Sequence, residues 1–289
     1  MRSAHDDLVG RPRVDELGDA VRALREWQYD GSPFQLHPGD IGWFWRFGAE
    51  TTAAAIRTWS RDGRILAIGL LDEPDLLRLT IAPDAMQNEE LARKLAGDLT
   101  GHEVLPAGKA FLEAIQGALV HDLLTENGWG VDEPWTPLRR DLTEPVEDPG
   151  ARIEVVGPEL VSTRTAVQRS AFGKSTFTDE RWHTMAAGVP YADARCLLAY
   201  DNDSAVAAVT VWSAGPGKPG VVEPMGVHAD HRGRGHGRAI TLAGAAVLRE
   251  LGSSSVVVYT PSSNVGAVAT YKSAGFEAAP EIRDRRRDA

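Results

Sequence analysis

The chain has 289 residues, of which 43% are hydrophobic and 25% charged, a globular composition long enough for two domains of ordinary size. A formal net charge of −10 argues against general nucleic-acid binding and favours attraction of cationic small molecules. The single cysteine, Cys196, excludes an internal disulfide, and no apolar run approaches the roughly 20 residues of a membrane span. We therefore expect a cytoplasmic monomer or homodimer without membrane or nucleic-acid partners.

Hydrophobic periodicity predicts alternating helices and strands in the first half of the chain. The predicted helices are 15–27, 89–99 and 111–126, and the predicted strands are 41–47, 65–71 and 76–81. On the strand predicted at 41–47, Trp43 and Trp45 share one face and Phe44 lies opposite. These aromatic residues indicate either core and interface packing or an aromatic wall for a substrate.

A segment rich in Pro, Asp and Glu, residues 141–152, separates the two halves and is typical of a linker. It divides the chain into predicted domains at 1–146 and 147–289. In the second domain the predicted strands are 152–156, 196–200, 206–212, 221–227 and 255–259, with short final strands after 276. The predicted helices are 159–172, 178–187, one after the loop that ends at Gly237, and 265–274. This order predicts an α+β fold in which a mixed sheet is flanked by helices.

The loop Arg232-Gly-Arg-Gly-His-Gly237 lies between a predicted strand and an amphipathic helix. Its glycines allow tight turns, and successive backbone N–H groups beside a helix N-terminus form a site for a pyrophosphate. Arg232, Arg234 and Arg238 add donors for phosphate oxygens. The alternative is a flexible basic loop that contacts nucleic acid, together with the basic tail.

Two sequence motifs in this half resemble those of the GNAT N-acetyltransferase superfamily. The acetyl-CoA signature R/Q-x-x-G-x-G/A is matched by Arg232, Gly235 and Gly237, and the later motif by Asn264, Tyr271, Gly275 and Phe276. Ala229 stands where many members carry proline. The resemblance covers about residues 152–286, and it implies that acetyl-CoA is the co-substrate and that an amine accepts the acetyl group. We expect a small-molecule primary amine, because the other half of the chain could cover the cleft, and we expect no metal.

The same resemblance implies which residues contact the coenzyme. The predicted coenzyme-binding residues are Met225, Gly226, Val227, Arg232, Gly233, Arg234, Gly235, His236, Gly237, Arg238 and Asn264. Pro224 cannot donate to a sheet ladder, which suits a strand that parts from its neighbour to admit the pantetheine arm. Asn264 has an alternative role as the N-cap of the following helix.

Two side chains are candidates for proton transfer. Tyr271 would protonate the departing thiolate, since a phenol is protonated at pH 7; the alternative is an aromatic core residue. Glu223 would act as the base, and the alternative is a structural carboxylate. His228 is the second candidate for the base, although it faces the other side of the strand.

The first half resembles a degenerate copy of the same domain, as in tandem GNAT proteins such as mycothiol synthase. Glu90 replaces the middle glycine of the loop, and Leu124 stands at the position of the tyrosine. We therefore predict two GNAT-like domains, each a twisted mixed sheet flanked by helices, with a coenzyme site in the second domain only.

The acceptor pocket is predicted from position in the chain alone. GNAT proteins place a substrate loop between their first two helices, and this region contributes Phe177, Trp182 and Tyr191 as candidate substrate residues. His228, His231 and His236 are close in sequence, but no cysteine or carboxylate ligands accompany them. A further alternative is that the chain binds acyl-CoA as a sensor or scaffold without turnover. Such a protein would have no use for the phenol of Tyr271.

Overall fold

The computed structural model describes residues 8–288, and their strands join in one mixed sheet that runs through both halves of the chain. The strands are β1 (Leu8–Gly10), β2 (Ile56–Arg61), β3 (Arg64–Glu73), β4 (Leu76–Ile81), β5 (Ala110–Ala114), β6 (Gly130–Asp141), β7 (Arg152–Val155), β8 (Ala194–Asp201), β9 (Ser204–Ser213), β10 (Pro219–Val227), β11 (Ser255–Pro261), β12 (Glu277–Ala278) and β13 (Ile282–Arg287). Their order is β1-β2-β3-β4-β5-β13-β6-β11-β10-β9-β8-β7, and β12 pairs with β6. The predicted α+β class with a mixed sheet is confirmed.

Helices pack on the faces of this sheet. They are α1 (Leu17–Trp27), α2 (Pro38–Phe44), α3 (Ala49–Ala55), α4 (Glu89–Thr100), α5 (Val120–Glu126), α6 (Val161–Ala171), α7 (Asp179–Ala186), α8 (His236–Glu250) and α9 (Val265–Ser273). Within residues 8–288, no helix has the length and apolar character that crossing a membrane would require.

Two predictions in the first half are wrong. Residues 41–47 are not a strand but the end of α2 and a short 3-10 helix at Trp45–Phe47. Pro38 occupies the first turn of α2, and the backbone N–H of Gly39 donates to His37 Nδ1 at 2.9 Å, so the helix begins at a proper cap. The alternation of aromatic residues therefore does not reflect a strand.

The second wrong prediction is the helix at 111–126. Its first part is β5, in which alternate residues are buried, and only Val120–Glu126 are helical. β5 pairs in parallel with β4, an interaction between distant segments that local periodicity does not reveal. The strands β2 and β6 were also not predicted.

The two halves exchange strands. β6, from the end of the first half, pairs antiparallel with β11 from Ser255 to Pro261. β13, the last strand of the chain, inserts between β5 and β6. The predicted boundary at 146/147 stays a prediction, and the sheet itself passes through it without a break.

Helix α2 packs closely against the second half. A Cβ atom on Gly39 or Gly42 would lie 2.5 Å and 2.3 Å, respectively, from side-chain atoms of the fully buried Trp212 on β9. Burial lowers the pKa of His37 to about 4, so its ring is neutral at pH 7. Its Nδ1 accepts the Gly39 N–H, which leaves Nε2–H to donate to the Pro219 carbonyl at 3.0 Å.

Because α2 contacts Trp212 through its glycines, we expect Gly42→Ala to lower the free energy of unfolding by about 1–3 kcal/mol through overpacking. Gly18→Ala, in α1 with no atom within 4 Å of the new methyl, is the matched control and should be neutral or stabilising. Urea unfolding of both variants measures this difference. Equal stability of the two variants would show that the contact with Trp212 is not tight.

Candidate active site

The strand β10 leaves its neighbour β11 near the middle of the sheet. The two strands pair in parallel only over Pro219–Val221 and Ser255–Val257, while β11 continues beside β6 to Pro261. β10 stays with β9, with a register shift between Val222 and Met225. A gap therefore opens between β10 and β11, as the proline in β10 led us to expect.

A cavity of about 680 Å³ lies at this gap, between β10, α8 and α9. The predicted coenzyme-binding residues that line it are Met225, Gly226, Val227, Arg232, Gly233, Gly235, His236, Gly237, Arg238 and Asn264. Arg234 was also predicted but is not among the lining residues. The cavity wall further includes Phe172, Ala267 and Thr270, which sequence analysis missed. Ala267 and Thr270 lie one and two helical turns after Asn264, so helical spacing could have indicated them.

The loop before α8 turns through left-handed backbone conformations. Gly233 has φ +75° and Gly235 has φ +86°, values that glycine adopts without strain. Gly237 lies close to α9, where a Cβ would be 2.9 Å from Thr270 Cγ2. The first N–H groups of α8, which begins at His236, have no partner within the helix and lie at the cavity. This arrangement, with the positive end of a 15-residue helix, suits an anion such as a pyrophosphate.

Backbone carbonyls hold two of the arginines at the cavity edge. Arg232 Nη2 donates to the Ala171 carbonyl at 2.7 Å, and Arg238 Nε donates to the Ser273 carbonyl at 2.9 Å. Each guanidinium keeps further N–H donors for a phosphate oxygen. Asn264 caps α9 by accepting the Ala267 N–H at 3.2 Å, so the alternative role considered for it is present alongside its place in the cavity wall.

Glu223 lies on β10 where the strand departs from β11. Burial and the negative charge of Asp40 raise the pKa of its carboxyl to about 7, against the opposing effect of the Arg78 charge. The Trp212 indole donates to the Glu223 carbonyl at 2.7 Å and fixes the backbone at this point. A carboxyl group with this pKa is suited to accept a proton near neutral pH.

Tyr271 projects from α9 with its ring in the core beside Phe276, at a centroid distance of 5.5 Å. Burial, and then the nearby Glu223 charge, raise the pKa of its phenol, so the group is protonated at pH 7. The ring is therefore a core residue, and the role of its hydroxyl as the acid stays a prediction.

Comparison with known proteins agrees with this geometry. Residues 161–276 match the model of the acetyltransferase (GNAT) family. The match places a GNAT-family acetyltransferase domain in the second half of the chain. It is 28% identical to a mycothiol acetyltransferase of Propionibacterium freudenreichii subsp. shermanii, over 91% of this chain and 85% of that protein. It is 32% identical to the Thermobispora bispora mycothiol acetyltransferase, over about half of each chain (48% and 52%).

Solved structures share the fold at low sequence identity. A tandem GNAT protein from the clavulanic acid biosynthesis pathway superposes with a TM-score of 0.60, at 15% identity, over 98% of this chain and 97% of its own. A GNAT-family acetyltransferase from Colwellia psychrerythraea gives 0.59, at 14% identity, over 98% of both chains. The predicted family and the predicted enzyme class are therefore confirmed.

Sequence analysis missed a charged group that the first half contributes to this GNAT site. Arg78 on β4 contacts Asp40 at 3.1 Å, Glu113 at 2.9 Å and Asp72 at 3.9 Å. The charges of Asp40 and Asp72 help to raise the pKa of Glu223. The four residues come from α2, β3, β4 and β5, and they are too far apart in sequence to form a motif.

The candidate substrate residues lie in different surroundings. Phe177 lines a second cavity, of about 460 Å³, and stacks on Trp43 at 5.4 Å between ring centroids. The rings of Trp182 and Tyr191 pack edge to face, with 5.8 Å between their centroids. The Tyr191 ring also packs against Trp212, with 5.9 Å between centroids. The role of all three in substrate binding stays a prediction.

The aromatic residues of segment 43–47 divide between cavity and core. Trp43 lines the second cavity, while Phe44 and Trp45 are buried. A Cβ on Gly188 would lie 2.7 Å from the Trp45 ring, so Trp45 packs against the second half. Phe44 and Trp45 are thus packing residues, whereas Trp43 forms part of a cavity wall.

The histidines near the loop do have a carboxylate partner in space. His231, His236 and Asp201 bring one ligand atom each within 4.8 Å of one another. Asp201 ends β8 and is distant in sequence, which is why the sequence showed no carboxylate. His228 accepts the Asp230 N–H at 3.3 Å and caps a 3-10 turn. The expectation that no metal takes part stays a prediction.

Side chains of the loop in the first half that resembles the coenzyme motif make their contacts within that half. Asn88 caps α4 by accepting the Leu91 N–H at 2.9 Å, and Glu90 pairs with Arg61 at 3.0 Å. Leu124, which stands at the position of Tyr271, is fully buried. These contacts support the expectation that only the second half binds the coenzyme.

We expect Gly235→Ala to weaken acetyl-CoA binding about tenfold, because a residue with a Cβ is strained at φ +86° by roughly 1–2 kcal/mol and shifts the amides of the loop. Gly31 has the same φ of +86° and lies outside the cavity. Gly31→Ala is therefore the matched control and should leave the affinity unchanged. Calorimetric titration with acetyl-CoA measures both, and equal affinity of the Gly235→Ala variant and the parent would contradict the assignment of the loop.

Proposed function

We propose that the protein transfers the acetyl group of acetyl-CoA to a primary amine of a small molecule, by direct attack within a ternary complex. The observation that carries this proposal is the position of Glu223 and Tyr271, which border the place where β10 leaves β11. The two side chains are close enough for the charge of one to raise the pKa of the other.

The first requirement of the reaction is a neutral amine. An amine with a pKa of about 10.4 is neutral in only about one molecule in a thousand at pH 7, a deficit worth roughly 4–5 kcal/mol. Glu223, with a pKa raised to about 7, takes the proton of the bound ammonium group. The nitrogen lone pair then attacks the thioester carbonyl.

The second requirement is stabilisation of the charges that develop at the thioester. A backbone N–H of β10 in the segment Met225–Val227, on the side that β11 has left, donates to the oxyanion of the tetrahedral intermediate. Tyr271 then gives its proton to the departing coenzyme A thiolate. The attacking nitrogen loses its second proton to solvent as the amide forms, and free coenzyme A leaves. Tyr271 then regains a proton from solvent, and Glu223 releases the proton that it took from the amine.

The class of acceptor follows from the surroundings of the site. Asp40 and Arg78 of the first half are near enough for their charges to shift the pKa of Glu223, whose carboxyl is itself shielded from solvent, and such a site favours a small acceptor. The relatives named mycothiol acetyltransferase also suggest a small acceptor. From these relatives we infer only that the acceptor is small, and not which molecule it is.

Glu223→Gln should lower kcat/KM for the amine by about 10²–10⁴-fold at pH 7, because the general base is lost. In the parent, the logarithm of the rate should rise with pH up to about 7, as Glu223 loses its proton, and then level off. In the variant the rise should continue towards the pKa of the amine.

The control for Glu223→Gln is Glu73→Gln, which removes another carboxylate on the same side of the site without touching β10. Its pH profile should match that of the parent. A parent profile without a change of slope near pH 7 would refute Glu223 as the base.

Tyr271→Phe should leave the affinity for acetyl-CoA unchanged and lower kcat by about 10²-fold or more, because the thiolate leaves without a proton donor. Tyr200→Phe, on β8 outside the coenzyme cavity, is the matched control and should turn over like the parent. Steady-state release of the coenzyme A thiol measures both. Parental kcat in Tyr271→Phe would mean that another group supplies the proton.

A further inference from the structure

The second cavity, of about 460 Å³, lies where the two halves of the chain meet. We call it the junction cavity. The residues on which the inference depends are Trp43, Arg46 and Phe47 from the first half, and Lys174, Phe177 and Arg181 from the second. Phe172 also lines it, so its wall combines three cations with four aromatic rings.

The cations of the junction cavity lack carboxylate partners. Among residues 8–288, no carboxylate oxygen lies within 4.0 Å of Arg46, Lys174 or Arg181. Arg46 Nη1 donates to the Trp43 carbonyl at 2.7 Å, and Arg181 Nη1 donates to the Thr176 carbonyl at 2.9 Å. Each guanidinium has five N–H donors, so most of them remain free.

The arrangement of the two arginines carries an electrostatic cost. The Arg46 guanidinium lies 4.2 Å from the Phe47 ring centroid, and Arg181 lies 5.1 Å from the same ring. Burial lowers the pKa of Arg46 to about 10, the charges of Asp72 and Glu223 oppose this shift, and the Arg181 charge adds to it, so Arg46 remains protonated at pH 7. Two like charges held around one ring, in a protein of net charge −10, are best explained by an anion that they bind together.

The junction cavity is next to the site of acetyl transfer. Phe172 lines both the junction cavity and the coenzyme cavity. The charge of Glu223 acts on Arg46, and the charge of Arg46 acts on Glu223, so the two groups are near each other. One small molecule can thus present an amine to Glu223 and an anionic group to Arg46.

We infer that the junction cavity binds an anionic group of the acceptor, a carboxylate or a phosphate, through Arg46, Lys174 and Arg181. The acceptor is then an amine that carries its own negative charge, as an amino acid does, with its apolar part against Trp43 and Phe177. This inference rests on the proposed function and goes against the cationic acceptor that the net charge of −10 favours.

The first test measures binding and does not depend on turnover. The probes are N-acetylphenylalanine and its primary amide, titrated by calorimetry into the full chain with coenzyme A present. The acid should bind about tenfold or more tightly than the amide, since hydrogen bonds to charged groups are worth roughly 1.5–3 kcal/mol. A second pair of probes, N-acetyl-phosphoethanolamine and N-acetylethanolamine, measures the preference for a phosphate in the same way. Comparison of the two preferences shows whether the cavity favours a phosphate or a carboxylate.

Variants assign the effect to the cavity. Arg181→Gln and, because its side chain is exposed, Lys174→Gln should each reduce the preference for the acid several-fold and leave the affinity for the amide unchanged. Arg93→Gln removes an exposed arginine of α4 that pairs with Glu89, and as the control it should keep the full preference. Equal binding of acid and amide by the parent would overturn the inference.

Acetylation assays separate failure of this inference from failure of the proposed function. With acetyl-CoA saturating, kcat/KM for amino acids should exceed that for the matching amino acid amides by about tenfold or more. If the amides are acetylated as fast as the acids, the anion site is wrong and the proposed function stands. If acid probes bind as expected and no amine is acetylated, the proposed function is wrong and the anion site stands.

Discussion

The separation of β10 from β11 is the feature on which the rest of the site depends. Pairing of β10 with β11 ends after Val221, so on that side Met225 to Val227 face a cavity, while their other side stays paired with β9. Backbone N–H groups in such a position need a partner, and an acyl-coenzyme arm can supply one. Glu223 lies on β10 just after this pairing ends, and its charge acts on the buried phenol of Tyr271.

The first half of the chain contributes charged and aromatic residues near the candidate site. It supplies Asp40 and Arg78, which help to set the pKa of Glu223, and the wall of the junction cavity. Close packing of α2 on Trp212 and the insertion of β13 beside β5 hold the two halves together. In the proposed function, residues of the first half would therefore shape the acceptor side of the site in the second half.

Local patterns predicted the second half well and the first half poorly. The strand, glycine loop and helix around Arg232–Gly237 are continuous in sequence, so their spacing alone indicated the phosphate site. Segment 41–47 alternates like a strand, but its contact with Trp212, about 170 residues later, is satisfied by a helix with glycines on one face. The Arg78 cluster and the pair Arg46 and Arg181 depend on contacts between distant segments, which a single sequence does not encode in any readable motif.

A crystal structure of the full chain with acetyl-CoA is the most direct test of this account. We expect the pyrophosphate on the backbone amides of Gly233–Gly237, the pantetheine arm in the gap between β10 and β11, and the thioester between Glu223 and Tyr271. Coenzyme bound elsewhere, or β10 paired with β11 along its whole length in the complex, would contradict it.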